Sequence, residues 1–253
     1  PDNPGFINWL LIIFLGIIWG SAFMAMSLSL DGFGPQTVAG ARLALGAIIL
    51  NILGVFMGQP ITAIHKSCGW SFVIALGAIA FPMLLLTWGQ QHVPSAFAGV
   101  AMTTVPLIVL PLVYIFSPEE GIGPRRVIGM IIGFIGISML VGPGAFESSD
   151  SDLVFWGRIA CIGSACGYAI GSILTRRAPK MPPIALASGT LTVAAILVVP
   201  LALVNEGWPE SFQMSASLAV LYAALFPTAI GALIRVRVIT TAGSLFMNIT
   251  SYM

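Results

Sequence analysis

The chain has 253 residues, of which 58% are hydrophobic and only 8% are charged. Soluble domains carry roughly 25% charged residues, so the composition excludes a water-facing globular domain and makes this an integral membrane protein. The net charge of +1, with no basic stripe, leaves no electrostatic case for nucleic acid.

A membrane helix needs about 20 mainly apolar residues. Punctuation by Gly, Pro and charge predicts nine such segments, at 9–30, 35–57, 69–90, 94–116, 124–142, 153–175, 182–204, 216–234 and 239–253. The connections are short, and the alternating strands of a membrane barrel are absent. The fold class is therefore an all-α polytopic bundle.

The first segment contains "LGIIWGSAF" at residues 15–23. On a helical wheel Trp19, Ala22, Phe23 and Met26 share one stripe, and Gly16, Gly20 and Ser27 share the next. Small residues four apart let helices approach in lipid, so Gly16 and Gly20 read as a packing seam. Trp19 lies too deep for an interfacial anchor; it either fills the bundle core or lines a path. In the second segment Arg42 interrupts "VAGARLALGA", either as a buried structural group or facing a substrate.

The third segment is broken at Phe81-Pro82 and the fourth at Pro106 and Pro111. Each proline removes a backbone donor and frees a carbonyl, which predicts hinges, kinks or contacts to the polar ends of a zwitterion. Gly129 and Gly133 in the fifth segment, and Gly163, Gly167 and Gly171 in the sixth, read as further packing seams. Arg158 lies towards the outer end of the sixth, where it can snorkel to the headgroups. The eighth segment repeats the break at Phe226-Pro227. Cys68, Cys161 and Cys166, odd in number and in apolar surroundings, read as small core residues. No metal- or cofactor-binding pattern occurs.

Placing the N-terminus in the cytoplasm puts eight of the ten basic residues in inside connections: Lys66, Arg125, Arg126, Arg176, Arg177, Lys180, Arg235 and Arg237. The outside connections hold only acids, Asp31, Glu147, Asp150, Asp152, Glu206 and Glu210, as the positive-inside rule requires.

A shift of 147 maps Gly16, Gly20 and Pro35 onto Gly163, Gly167 and Pro182, and a shift of 145 maps Phe81-Pro82 onto Phe226-Pro227. With an odd number of helices per unit, the copies have inverted topology. The expected organisation is residues 1–146 as a first five-helix repeat and 147–253 as a second, and a full second repeat requires a tenth helix beyond Met253. Such repeats recur in secondary transporters, with the substrate site at mid-membrane between them.

"WGSAFMAMSLSLDGFGPQTVAGARLALGAIIL", "GQQHVPSAFAGVAMTTVPLIVLPLVYIFSPEE" and "RRVIGMIIGFIGISMLVG" together resemble the drug/metabolite transporter superfamily, EamA branch. The resemblance covers the first half well and the second half loosely. Within the branch it is most similar to the aromatic amino acid exporters. It implies ten helices in inverted repeats and export of amino acids or related metabolites across the plasma membrane, the bacterial inner membrane.

The cavity-lining candidates are Trp19, Ser21, Phe23, Met24, Phe81, Met83, Trp88, Gln90, Met102, Thr103, Tyr168, Ser172, Phe226 and Asn248, with Met247 as a further adaptable apolar group. With only Arg42 as a cation at depth, a neutral substrate is expected; other metabolites or drugs are the alternative. No Asp or Glu falls inside a predicted helix, so flow of substrate down its own gradient is expected. An intramembrane protease needs a nucleophile and base in reach, but the two histidines, His65 and His92, sit near helix ends and no Gly-x-Ser-Gly stretch occurs. A channel is disfavoured by the lack of a carboxylate ring or filter-like run. The expected partners are a small-molecule substrate and the lipid bilayer.

Overall fold

The computed structural model describes residues 4–59, 68–120, 122–141 and 152–253. Among these there is no strand. The helices are α1 (Phe6–Leu30), α2 (Pro35–Phe56), α3 (Gly69–Gln90), α4 (Ser95–Phe116), α5 (Pro124–Val141), α6 (Asp152–Arg177), α7 (Pro183–Asn205), α8 (Met214–Ala242) and a short α9 (244–252). Among the described residues, seven of these, α1–α4 and α6–α8, are long and apolar enough to cross a membrane. His65, Lys66, Glu147 and Asp150 lie outside the described residues, as does the Cys68 side chain.

The predicted boundaries agree closely up to α7. Prolines mark several starts: Pro35, Pro124 and Pro183 each begin a helix, where a missing N–H has no intrahelical partner to lose. The prediction fails at the end of the chain. Arg235 and Arg237 mark no connection; α8 runs on through both to Ala242 and stops at Gly243, whose φ of 98° ends the helix. The last element is thus a short helical turn rather than a crossing segment over 239–253. Arg176 braces this corner by donating to the carbonyls of Ile239 and Thr240, both at 3.2 Å.

Both helices that carry the Phe-Pro pair contain a π-helical segment, Ala75–Ala80 in α3 and Ala224–Ile230 in α8. The cause is local: a proline cannot donate to the carbonyl four residues back, so the hydrogen-bond ladder must shift. In α8 the Thr228 hydroxyl replaces the lost donor, bonding the Ala223 carbonyl at 2.8 Å. In α4 the break falls at Thr104, two residues before Pro106, whereas Pro111 is carried within the helix.

The main tertiary pairings are α2 on α7, α3 on α6 and α1 on α8. Lipid offers no hydrophobic drive for helices to associate, so close packing has to hold them. Small residues supply it at the α3–α6 crossing. A Cβ on Gly167 would collide with the Pro82 ring and one on Gly171 with Ala78, while one on Gly163 would lie 3.2 Å from Leu85. Gly16 packs on Met253 and Gly133 on the Tyr252 ring, as a seam role requires. Gly20 and Gly129 do not: nothing lies within 4 Å of a Cβ built on either. Cys161 is buried against Gly89, and Cys161 and Cys166 are free thiols.

Four apolar clusters surround the centre, joining α2, α3 and α7; α4 and α6; α1 and α8; and α1, α3 and α4. What they enclose is a chamber.

Candidate functional site

A cavity of about 360 Å³ lies between the helices, walled by residues of every element except α5. That volume falls in the range of small-molecule sites, about 300–1,000 Å³. Of the candidates, Trp19, Phe23, Met83, Met102, Thr103, Tyr168, Ser172 and Asn248 line it. Gly20 lines it too, so the missing side chain makes room for the chamber and not for a neighbouring helix.

The other six candidates lie off the wall. Met24 and Phe81 face outward, 69% and 54% exposed. Ser21 and Phe226 belong to a separate contact on the other side of α1: the Ser21 hydroxyl bonds the Ile18 carbonyl at 2.8 Å and the Tyr222 hydroxyl at 2.6 Å, and Tyr222 stacks on Phe226 at 5.1 Å. Trp88 meets His92 edge-on at 4.8 Å. Gln90 is buried against α1, its amide donating to the Phe23 carbonyl at 3.4 Å. Helical spacing gave the right segments but not the rotation of each helix in the bundle.

Trp19 has a specific partner. Its indole Nε1 donates to the Pro227 carbonyl at 3.1 Å. Gly231 makes this approach possible, because a Cβ there would lie 2.8 Å from the indole nitrogen. A related bond runs the other way across the bundle: the Ser164 hydroxyl of α6 donates to the Pro82 carbonyl of α3 at 2.7 Å. Each Phe-Pro carbonyl is therefore held by a side chain from a helix of the opposite half. Of the carbonyls freed four residues before these prolines, which were candidates for a zwitterion's polar ends, that of Ala223 accepts from the Thr228 hydroxyl.

Two guanidinium groups face the chamber. Arg42 of α2 is buried, and its Nε donates to the Thr228 hydroxyl at 3.3 Å, extending the relay that satisfies the Ala223 carbonyl. Its Nη1 has no hydrogen-bond partner among the described residues. Arg235, expected in a cytoplasmic connection, instead lies in the cavity wall, with Nη2 at 3.4 Å from the Ser172 hydroxyl. Ser172 in turn lies 3.4 Å from Asn248 Oδ1, and the Asn248 amide donates to the Ser244 carbonyl at 2.7 Å. Among the described residues no Asp or Glu lines the chamber. Arg158 is elsewhere, with its guanidinium carbon 5.5 Å from the centre of the Phe97 ring.

The placement of Arg235 was beyond sequence reasoning, because a charge pair at 235 and 237 resembles the end of a helix. The only hint was Gly243, a stronger stop signal eight residues beyond Arg235. Gly231 and Thr228 gave no signal that distinguishes them from neighbouring small residues.

The EamA-like transporter family matches residues 7–142. Over 225 residues, 84% of this chain and 67% of the relative, the sequence is 28% identical to the Escherichia coli K12 protein named "Uncharacterized inner membrane transporter YedA". It is 25% identical to the Arabidopsis thaliana "WAT1-related protein At3g02690, chloroplastic", over 98% of this chain and 64% of that protein. It is 24% identical to the Bacillus subtilis "Uncharacterized transporter YoaV", over 79% and 68%. The chain thus spans about two thirds of the length of these relatives. One solved crystal structure superposes with a TM-score of 0.77 at 20% identity, over 97% of this chain and 83% of the other, a likeness of fold.

Proposed function

This chain belongs to the EamA-like transporter family, and from that premise we propose that it is a secondary carrier exporting a small organic metabolite through the central chamber by alternating access. The single observation that carries the reading is the chamber itself, about 360 Å³, apolar over most of its wall and built from helices of both halves of the chain. The first half, 1–146, and the second, 147–253, act as inverted repeats that rock about this site. Three features support that organisation: the paired π segments at the Phe-Pro sites, the two carbonyl latches from Trp19 and Ser164, and the pairings α1–α8, α3–α6 and α2–α7. Exchanging the two halves converts the first pairing into the second and the third into itself.

The membrane is the inner membrane, with the N-terminus in the cytoplasm. With Arg235 and Arg237 both inside α8, the count of basic residues in inside connections falls from eight to six and the sign of the bias is unchanged. Amino acids with large apolar side chains, the class implied by the resemblance to aromatic amino acid exporters, suit the chamber in size and apolarity. No acidic side chain lines it, which supports substrate flow down its own gradient over proton coupling.

Counterflow into proteoliposomes tests the reading, using a panel of amino acids, organic acids, nucleosides and sugars. A saturable exchange that is unaffected by a pH gradient is expected. Single-channel currents would make the protein a channel, and strict dependence on a pH gradient would remove the uncoupled mechanism.

A further inference from the structure

The charges of the chamber specify more than its apolar wall does. An arginine side chain carries five N–H donors and cannot shed its charge. Among the described residues Arg235 uses one donor, at 3.4 Å to Ser172, and Arg42 uses one, at 3.3 Å to Thr228. Both contacts are longer than the usual 2.7–3.2 Å or so. Neither guanidinium has a carboxylate partner, and the wall contains no acid. A charge at this depth is costly unless it serves a substrate path or has a partner.

The two cations also differ in role. Arg42 is tied into the backbone repair at Pro227 through Thr228. Thr228 and Arg235 are seven residues apart, two turns or about 10 Å along α8, so the two cations are anchored at different points of that helix while the Tyr168 side chain of the wall lies near both. Arg235 sits among small polar groups, Ser172 and Asn248, that have no structural need of a charge. Of the carbonyls at the two proline breaks, only that of Pro227 belongs to a chamber-lining residue, and it already accepts from the Trp19 indole.

We propose that the substrate is a net-anionic organic acid, whose carboxylate or phosphate docks on Arg235 beside Ser172 and Asn248 while its apolar body lies against Trp19, Phe23 and Met102. This rests on the reading of the chamber as the transport site and replaces the neutral substrate expected when Arg42 was the one cation at depth. Arginine suits the task, since its planar fork meets both anions through paired hydrogen bonds.

The test holds the apolar body constant and varies the head. Full-length protein in liposomes is assayed for counterflow of 3-phenylpropionate, its neutral amide, the zwitterion phenylalanine and phenyl phosphate, with quenching of tryptophan fluorescence as a separate binding readout. An anion is expected to exchange about tenfold better than the amide or the zwitterion, the effect of one charge-assisted contact; whether carboxylate or phosphate exchanges better identifies the head. Arg235→Gln is expected to raise the half-saturating anion concentration about tenfold in the quenching assay, and Arg235→Lys to restore part of it. Equal or better exchange of phenylalanine or the amide overturns the anion assignment and leaves the carrier intact. Absence of both exchange and quenching for the whole panel overturns the chamber as the transport site, and this proposal with it.

Discussion

The Trp19 indole nitrogen reaches across 208 residues of sequence to donate to the Pro227 carbonyl at 3.1 Å. On the other side of the bundle Ser164 donates to Pro82 at 2.7 Å. A proline break is tolerated in lipid only where neighbouring groups satisfy the backbone it disturbs; in α8 Thr228 caps the freed Ala223 carbonyl from the same helix, and at both breaks the proline's own carbonyl accepts from the opposite half of the chain. The break and its latch are one device: the kink gives the helix a place to bend, and the latch ties that place to the partner half.

Trp19→Phe keeps an aromatic ring on the cavity wall and removes the donor. A hydrogen bond between membrane helices contributes about 0.6 kcal/mol and up to about 1.7 kcal/mol, so a small drop in the unfolding midpoint in detergent is expected. Trp19→Ala, which also removes the ring, is expected to reduce transport far more than folded yield. Equal loss of both would make Trp19 a core residue.

Two glycines separate space for a latch from space for a substrate. Gly231→Ala places a Cβ 2.8 Å from the indole nitrogen, and is expected to displace Trp19 and cost about 1–3 kcal/mol through overpacking. Gly20→Ala meets nothing within 4 Å; it is expected to leave thermal stability unchanged while altering the half-saturating substrate concentration in counterflow. A stability loss at Gly20 equal to that at Gly231 would contradict this division.

At the mouth of the bundle, Glu206 after α7 accepts from the backbone N–H groups of Gln36 at 2.9 Å and Thr37 at 2.8 Å, capping α2 in place of a local side chain. Carboxylates at helix N-termini stabilise by typically 0.3–1 kcal/mol or so, and salt screens the effect. Glu206→Gln is expected to lower the unfolding midpoint slightly at low ionic strength, with the gap narrowing as salt is added. A gap that is independent of salt would assign the effect to hydrogen-bond geometry alone.

Orientation is open to direct measurement. Lys180 and Glu210 are both exposed, in connections on opposite sides of α7. With the native cysteines replaced, Glu210→Cys is expected to react with a membrane-impermeant maleimide on intact spheroplasts, and Lys180→Cys only after the membrane is opened. The reverse pattern would invert the topology.

Composition and periodicity by themselves determined the class of this protein. A chain 8% charged, cut by Gly and Pro into apolar lengths of about 20 residues, has to lie in lipid as helices. The Phe81-Pro82 and Phe226-Pro227 pairs located both helix irregularities from sequence, since a missing N–H acts on its own helix, although Pro111 and Pro200 are carried within α-helix without one. Local information also assigned Gly16, Gly133, Gly163 and Gly167 to packing seams.

Only the tertiary structure decided which way each helix faces. Gly16 and Gly20 share a stripe and both line the chamber, yet a Cβ on the first would meet Met253 and one on the second nothing; Phe23 lines the cavity while Met24, the next residue, faces outward. In a membrane both faces of a helix are apolar, so the contrast that tells inside from outside in a soluble bundle is missing. The same limit hid Arg235. From sequence it marked the end of a helix, and the run of α8 on to Gly243 carried it into the chamber wall, where its charge bears on the substrate.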